Sequence, residues 1–492
     1  MQKNKPIIFD GWILKLLIYI GVIGGLFIIE YLLLNVNLYV SLFFSFIPIV
    51  LIAFLIFLKK PVYFLIVIFI INYFLLGLGR YMLSFIPGVF MMVLLILLLG
   101  ILLIYSIKSD PGWKYAKNFI MLMASLWTLY CIWDVFNLKM GSVLLWALSI
   151  RAMALYFILF VLFTLVLMHR YKNLKVFLII WSVLTILAVS KALFQKYFGF
   201  DAAENYWLYV DGKSKTHILN TGIRYFSFFS DAANFGCGMA LSFVVFSISA
   251  FFVKHKILRI YFLFVSLLAL DAMLMSGTRS AIVIPFIGYG IFVILSKNKK
   301  VILLSVILMA GTFYFFYGTN HLESVSYVRR MRTAFHPTED ASFMLRENNK
   351  IKLRRMLADK PFGYGIGSTN ASGKDDSETI TIPPDSGLVR IWIETGIVGL
   401  VLYLLIMAII IARGCYILFF KIKDPELKGI ETALLCGFAG MLAASYANDI
   451  FMLFPNGPIL YMSIAFVFLA EHFDREIEEN KSKSLNKDEE SI

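Results

Sequence analysis

Charged side chains are scarce in this sequence of 492 residues. Only 15% of the residues are Asp, Glu, Lys or Arg, whereas 60% are hydrophobic. Soluble globular chains have about 25% charged and about 45–50% apolar residues, so this composition excludes a soluble enzyme and a nucleic-acid-binding module. A membrane-spanning helix takes about 20 apolar residues, and about fourteen such helices would use nearly the whole apolar content. We therefore expect most of the chain to lie in a lipid bilayer.

Residues that commonly bind metals or form disulfides are few and dispersed. The four cysteines stand in apolar stretches without a C-x-x-C spacing, and the histidines show no ligand spacing. Neither a disulfide framework nor a zinc site is expected, and we predict no metal and no cofactor. A glycine-rich segment at residues 360–367 lacks the Lys-Ser/Thr ending of a nucleotide-binding loop. It predicts a tight turn, and binding an anion is one use of its backbone N–H groups.

Apolar runs separated by polar segments predict an all-α polytopic membrane protein with about 12–14 transmembrane helices. The first run continues to about residue 34 without a small-residue cleavage site, so we expect it to remain as a span. The predicted spans are 12–34, 38–58, 62–78, 85–107, 117–134, 144–168, 174–194, 231–253, 258–275, 280–296, 301–317, 388–414, 430–448 and 457–471.

The excess of basic residues, 45 against 31 acidic ones, gives a net charge of +14. With the N-terminus in the cytoplasm, the basic clusters between predicted spans all fall on the cytoplasmic side, as the positive-inside rule requires. These clusters are 59–60, 108–117, 170–175, 254–259, 297–300 and 421–428.

This topology divides the chain into membrane and loop segments. Two long connections, 195–226 and 318–386, would be extracytoplasmic, and residues 472–492 would form a disordered cytoplasmic tail. The membrane segments would then be 1–194, 227–317 and 387–471.

The larger outer connection contains a predicted helix that starts at Asp340 or Ser342 and runs to about Ala358. Three basic residues follow each other at intervals of four within it and so share one helical face. That face either binds phosphate or is a solvated charged surface. The three residues are Arg346, Lys350 and Arg354.

Arginines also occur at the outer ends of predicted spans. Arg279 stands in the small-residue break Ser-Gly-Thr-Arg-Ser, and Arg224 lies shortly before the eighth span. An ionisable group at membrane depth costs at least about 2.5–3.5 kcal/mol, so it faces a polar cavity or a partner. The planar fork of arginine suits phosphate oxygens; the alternative is an ion pair with Asp231 or Asp271. Further candidates for substrate binding are Arg151, Lys191, Arg390 and Glu394.

The order of these features resembles the O-antigen ligase and O-antigen polymerase family. The features are Arg224 with Ser-Asp-Ala-Ala-Asn-Phe-Gly after it, the break at Arg279, a large outer loop with residues 346–367, Asp385-Ser-Gly, and Glu394-Thr-Gly-Ile-Val-Gly. The likeness extends from about residue 215 to about residue 400 and includes the many-span, GT-C-like plan.

This resemblance implies a glycosyltransferase of the bacterial plasma membrane that uses a glycan on undecaprenyl diphosphate as its donor. The acceptor would be another glycan or lipid A core, with a chain-length regulator as a further partner and no nucleic acid. Arg224 and Arg279 match the arginines that family members use against the diphosphate. Asp385 stands where many ligases have a histidine, which favours a polymerase.

The transfer itself is expected to be metal-independent and to invert the anomeric configuration. Cations would stabilise the charge that develops on the departing diphosphate, and a base must accept the proton of the acceptor hydroxyl. Asp385 is the first candidate for this base, although an aspartate at a helix start is also a common N-cap. Glu394 and Asp449 are further candidates.

A transporter of lipid-linked oligosaccharide is the alternative from another class of protein, because many spans with arginines at depth also suit a pathway. Transporters commonly contain paired inverted halves. Here the large outer loop and the motifs all lie in the second half of the chain. Glycan transfer is therefore the preferred interpretation.

Overall fold

The computed structural model describes residues 50–82, 86–137, 142–219, 222–296, 299–319, 321, 324–332, 341–370 and 386–489, and single positions at 19, 21, 23–25, 27 and 31. Apart from those single positions, the predicted span 12–34 and the first part of the span 38–58 lie outside the described residues. Asp340 and Asp385 also lie outside them.

Helices dominate the described residues, and nine of the helices found there are long and apolar enough to cross a membrane. The predicted all-α polytopic fold is thereby confirmed. In the N-terminal half the helices are α1 (Val50–Lys59), α2 (Pro61–Leu78), α3 (Pro87–Lys108), α4 (Phe119–Trp133), α5 (Val143–Ile150), α6 (Tyr156–Leu167), α7 (Tyr171–Phe198), α8 (Ala202–Tyr209) and α9 (Ser214–His217). A π-helical turn, Arg151–Leu155, joins α5 to α6 in one span.

The second half continues with helices and one short hairpin. Two strands, β1 (Ile218–Leu219) and β2 (Gly222–Ile223), pair antiparallel between α9 and the next helix. The remaining helices are α10 (Ala232–Phe252), α11 (Lys256–Met275), α12 (Val283–Leu295), α13 (Lys299–Gly318), α14 (Ser326–Arg332), α15 (Ala341–Met356), α16 (Gly387–Phe420), α17 (Pro425–Ala444), α18 (Asn456–Val467) and α19 (Ala470–Glu489).

The C-terminal segment differs from the prediction. It was expected to be a disordered tail, but α19 continues to Glu489. The first part of this helix is attached to the rest of the protein: Asp474 accepts hydrogen bonds from the backbone of Lys423 at 3.1 Å and of Asp424 at 2.9 Å. The expectation of disorder was wrong because it considered the polar composition and not the backbone donors that the segment meets.

The chain forms two compact units. The first comprises residues 1–64 and 98–110, and the second comprises residues 65–97 and 111–492. In the first unit, Phe57 stacks on Phe64 with ring centroids 4.8 Å apart.

Helices α10 and α17 are the most buried spans of the second unit, with 83% of the residues in their apolar windows inside the protein. Small residues bring neighbouring helices close to them. A Cβ on Gly437 would lie 2.5 Å from Leu241, and one on Gly236 would lie 2.1 Å from the Ser276 hydroxyl. Such close approach favours van der Waals packing between helices in lipid, where apolar surface alone gives little preference.

Ion pairs gather three of the predicted cytoplasmic clusters with α19. Asp424 pairs with Lys254 and with Lys481, each at 3.1 Å, and Glu426 pairs with Lys175 at 3.3 Å. Successive spans cross the membrane in opposite directions, and the predicted topology therefore requires these clusters to lie on the same side. Their position on the cytoplasmic side of the bilayer stays a prediction.

Candidate functional site

Arg224 is anchored on the turn that follows α11. Its Nε donates to the Ser276 carbonyl at 3.2 Å, and its Nη2 donates to the Thr278 hydroxyl at 3.0 Å. Its Nη1 donates to the Thr216 carbonyl at 3.0 Å. The guanidinium therefore joins the connection 195–226 to the small-residue break that contains Arg279.

Gly277 lets a second arginine approach this turn. Its φ of +58° lies in the left-handed region that glycine adopts without steric cost. A Cβ at this position would lie 3.2 Å from Cδ of Arg330 and 3.7 Å from Cγ of Arg224. Arg330 belongs to α14, so the connection 318–386 packs this arginine against the same turn.

Electrostatic coupling adds Arg279 and Arg346 to this group. Burial lowers the pKa of Arg224, the Asp231 carboxylate opposes that effect, and the positive charges of Arg279 and Arg346 lower the pKa further. Arg224, Arg279, Arg330 and Arg346 are called the arginine cluster below. These residues come from four separate segments of the chain, and Arg346 is also one member of the predicted basic face. The joint action of Arg224 and Arg279 on a diphosphate stays a prediction.

Asp231 supports the cluster from the start of α10. Its carboxylate caps that helix by accepting from the backbone of Ala233 at 2.7 Å and of Asn234 at 3.0 Å. Asn234 in turn accepts from the Asn456 amide at 2.6 Å and donates to the Phe454 carbonyl at 2.7 Å. The segment after Arg224 thus positions α10 against the start of α18, and Asp231 both caps the helix and faces the cluster as a charge.

The lining of an apolar cavity of about 560 Å³ includes residues within a few positions of Gly277 and Arg279 in the sequence. Met273 and Leu274 line it from the end of α11, and Ile282 lines it from the helical turn that Arg279 begins. The Arg332 guanidinium lies 5.4 Å from the ring centre of Phe315, another lining residue. The Arg332 guanidinium therefore lies at one edge of this cavity, which is called the apolar groove below. The other main lining residues are Phe243, Pro285, Phe286, Tyr289, Ile307 and Phe316.

The carboxylate of Asp449, in the connection between α17 and α18, lies against the start of α16. Asp449 pairs with Arg390 at 2.6 Å, while its second oxygen, Oδ1, is buried without a hydrogen-bond partner among the described residues. A Cβ on Gly387 would lie 3.0 Å from this oxygen. The neighbouring Asn448 amide donates to the Ser280 hydroxyl, which connects this carboxylate to the segment that carries Arg279.

Helix α15 carries the three basic residues of the predicted face, and each of them lies in a different environment. Lys350 pairs with Glu347 at 2.8 Å and lies 3.7 Å above the ring of Tyr446. Burial acts to lower the pKa of Lys350, but hydrogen bonds to Glu347 and Tyr446 outweigh it and raise the pKa. Arg354 is exposed. The predicted basic face therefore has one residue in the cluster, one docked on the protein and one in solvent; their binding roles stay predictions.

The glycine-rich segment docks into a break in α16. Gly396 has φ +67° there, and a Cβ on it would lie 2.1 Å from the Pro361 carbonyl oxygen. Tyr364 and Gly365 donate to the backbone carbonyls of Ile393 at 3.0 Å and of Glu394 at 2.9 Å. The predicted tight turn is present, and these N–H groups bind the helix break, so they are not available to an anion.

Glu394 is enclosed by that docking. Its carboxylate accepts from the Thr369 hydroxyl and from the backbone of Gly367. It is only 1% exposed, and these partners give it a structural role in holding the two segments together. Its contact with substrate stays a prediction.

Two other predicted binding residues lie in separate environments. Lys191 pairs with Asp201 at 2.9 Å and with Glu204 at 3.1 Å. Arg151, at the π-helical turn, donates from Nε to the Leu148 carbonyl at 2.8 Å and lies against Gly88. No contact described for either residue joins it to the arginine cluster, and their substrate roles remain predictions.

Sequence reasoning did not single out Arg330, Asn448 or His217. His217 accepts a hydrogen bond from the backbone of Ala232 at 3.2 Å through Nε2 and lies against Phe226 and Trp207. Burial lowers its pKa to about 4. One feature of the sequence could have indicated Arg330: residues 329–332 contain three arginines and follow the predicted span 301–317.

Comparison with known families identifies part of this region. Residues 263–404 match the family model described as O-antigen ligase, which confirms the predicted resemblance over that segment. The match contains Arg279, Arg330, Arg346 and Glu394. No curated protein matches the chain significantly.

The matched family indicates glycan transfer of the ligase or polymerase type in surface glycan biosynthesis, with lipid-linked glycans as substrates. The nine described helices that are long and apolar enough to cross a membrane indicate an integral membrane protein.

Proposed function

We propose that this protein polymerises glycan from undecaprenyl diphosphate at the outer face of the bacterial plasma membrane. Both termini would be cytoplasmic, and the connections 195–226 and 318–386 would be extracytoplasmic. The observation that carries the proposal is the arginine cluster beside the apolar groove. A polyprenyl diphosphate has the same two parts, an anionic head and an apolar chain, in direct covalent connection.

The cluster suits the head of this donor. Guanidinium groups donate paired hydrogen bonds to phosphate oxygens and stay charged at all physiological pH values. Arg224 is already fixed by three hydrogen bonds, so it would stabilise charge without reorganising during the reaction. Preorganised charge of this kind is commonly the largest contribution to catalysis when a leaving group becomes negative.

The groove suits the chain of the donor. Its lining is almost entirely aliphatic and aromatic, and Met273, Leu274 and Ile282 lie within a few residues of Gly277 and Arg279 along the sequence. With a volume of about 560 Å³, it has the size of a typical ligand cavity, about 300–1,000 Å³. It would hold the isoprene units nearest the diphosphate.

In the proposed reaction the acceptor hydroxyl attacks the anomeric carbon on the side opposite the diphosphate. The bond from this carbon to the phosphate oxygen breaks, its electron pair leaves with the diphosphate, and the configuration inverts. The arginine cluster balances the released charge in place of a divalent metal. Asp385, two residues before Gly387, would accept the hydroxyl proton. Asp449, whose Oδ1 would lie 3.0 Å from a Cβ on Gly387, is the second candidate for this task.

Transfer to lipid A core is the second candidate, because the description of the matched family is O-antigen ligase. Asp385 at the position of the ligase histidine favours polymerisation over this reaction. A chain-length regulator remains a proposed partner.

One experiment separates these activities. Purified full-length protein in proteoliposomes is given an undecaprenyl-diphosphate oligosaccharide, with or without lipid A core, and the lipid and glycan products are separated by chromatography and mass spectrometry. A polymerase releases undecaprenyl diphosphate and lengthens the glycan without lipid A core. A ligase requires the core. Movement of intact donor across the bilayer without either product would identify a transporter and contradict the proposal.

A further inference from the structure

A second cavity lies among helix ends that carry predicted cytoplasmic basic clusters. It has a volume of about 520 Å³ and is bounded by the end of α10, the end of α12, and the starts of α13 and α17. Phe252, Phe292 and Leu295 provide its apolar wall, while Lys299 and Lys428 provide cationic groups at its edge. It is distinct from the arginine cluster and the apolar groove, with which it shares no lining residue.

The apolar wall depends on a glycine. A Cβ on Gly429 would lie 2.0 Å from Cγ of Phe252, so only glycine allows this ring to reach α17. Phe252 then meets Phe292 edge to face, with ring centroids 6.0 Å apart. The two rings form a continuous apolar surface between helices whose ends lie close to the predicted membrane boundary.

The charge around the cavity is biased toward an anion. Two acidic residues at the start of α17 form ion pairs with lysines that do not line the cavity. Asp424 pairs with Lys254 and Lys481, and Glu426 pairs with Lys175. Among the described residues that line the cavity, Lys299 and Lys428 are basic and none is acidic; Lys428 also lies 5.7 Å from the ring centre of Phe419. The sequence adds Lys297 and Lys300 next to Lys299.

We propose that this cavity binds an anionic phospholipid of the cytoplasmic leaflet. Its phosphate would lie between the Lys299 and Lys428 ammonium groups, and an acyl chain would lie along Phe252, Phe292 and Leu295. Basic pockets between transmembrane helices on the cytoplasmic side are suited to anionic headgroups, and this leaflet is rich in them. The bound lipid would tie the connection between α12 and α13 to the start of α17.

Native mass spectrometry of the full chain tests this proposal with defined lipids. Delipidated protein is titrated with phosphatidylglycerol, with phosphatidylcholine as the neutral comparison. We expect at least about fivefold more bound phosphatidylglycerol, and we expect this preference to disappear in the double variant K299Q/K428Q. The matched control K172Q/K421Q removes the same charge at two exposed lysines of the predicted cytoplasmic side and should retain the preference.

Two further arms keep the outcome decisive. The variant K299R/K428R retains both charges and should retain binding. If K299Q/K428Q does not fold, thermal unfolding of the wild-type and K299R/K428R proteins is measured instead. Their unfolding midpoints should rise with phosphatidylglycerol and not with phosphatidylcholine. Equal binding of both lipids by wild-type protein, or an undiminished preference in a folded K299Q/K428Q, overturns the proposal. Displacement of the lipid by millimolar inorganic phosphate, or a preference for undecaprenyl phosphate, would also overturn it. None of these readouts depends on glycan transfer.

Discussion

Arg224 and Arg279 contribute differently to the arginine cluster. Arg224 donates a hydrogen bond from each of its three nitrogen atoms to segments far apart in the chain, so replacing it alters local structure as well as charge. Arg279 begins a short helical turn, and its replacement leaves those three bonds in place. Arg279 is therefore the better residue for testing how charge acts on the donor.

We expect Arg279→Lys to lose at least about tenfold in transfer rate while the protein still inserts into the membrane. Lysine keeps the charge but not the paired donors of the guanidinium, and a hydrogen bond to a charged group contributes about 1.5–3 kcal/mol. Initial rates of undecaprenyl diphosphate release measure the effect. Arg355→Lys, at an exposed position of α15, is the matched control; undiminished activity in Arg279→Lys would remove this residue from the mechanism.

Asp385→Asn should retain donor binding and lose turnover. The amide is similar in size to the carboxylate but cannot accept the hydroxyl proton, so only the chemical step is affected. Donor affinity and single-turnover rate are measured separately on the same preparation. If turnover stays normal, the base is another group, and Asp449 is the next to be tested.

His217 predicts a pH effect on stability. Its pKa is about 4 in the folded protein and about 6.5 in an unfolded chain, so the unfolded state binds more protons between these values. Stability from this group is complete above about pH 6.5 and declines as the pH falls toward 4. We expect the thermal midpoint to decrease over this range more in the wild type than in His217→Gln, measured in detergent by intrinsic fluorescence. Parallel pH profiles would contradict the assignment.

The broken helix α16 and the glycine-rich segment are one structural feature at the scale of elements. Gly363 and Gly396 both have positive φ, and a Cβ on either would lie within 2.5 Å of backbone atoms of the other segment. This contact covers Glu394 and fixes the start of α16, which carries Arg390. The break therefore sets the orientation of the helix start relative to the large outer connection.

Gly396→Ala should destabilise the protein by at least about 2 kcal/mol. A left-handed conformation costs a non-glycine residue about 1–2 kcal/mol, and the added Cβ also clashes with the Pro361 carbonyl. Gly290→Ala is the matched control, since a Cβ at Gly290 meets no atom within 4 Å. The amount of monodisperse protein and its unfolding midpoint are compared; equal values for the two variants would show that the docking contributes little.

The elements differ in how far the sequence predicts them. From residue 61 onward each predicted span coincides with a helix, with ends that differ by a few residues, because an apolar run of about 20 residues has few alternatives in lipid. Helix α15 in the large connection was also predicted. The docking of residues 360–367 on Gly396 was not, since no local pattern specifies a partner thirty residues away.

The whole molecule assembles its candidate site from segments that are distant in sequence. Arg224, the turn at Gly277, α14 and α15 each contribute to the arginine cluster, and helices α11 and α12 extend the groove beside it. The sequence predicted that Arg224 and Arg279 lie at the outer ends of spans, and the family resemblance implied a shared role against the diphosphate. It could not predict that Arg330 would complete the group, because this depends on how a long connection folds back over the spans.

Binding of undecaprenyl diphosphate to the purified protein tests the central claim most directly, since it separates donor recognition from acceptor chemistry. Equilibrium affinities are measured for wild-type protein, Arg279→Gln and the control Arg355→Gln, with undecaprenol as the uncharged ligand. If the arginine cluster holds the diphosphate, Arg279→Gln should bind the diphosphate at least about tenfold more weakly, the control should bind like wild type, and undecaprenol should be insensitive to either change. Equal affinity of wild-type protein and Arg279→Gln for the diphosphate would contradict the account.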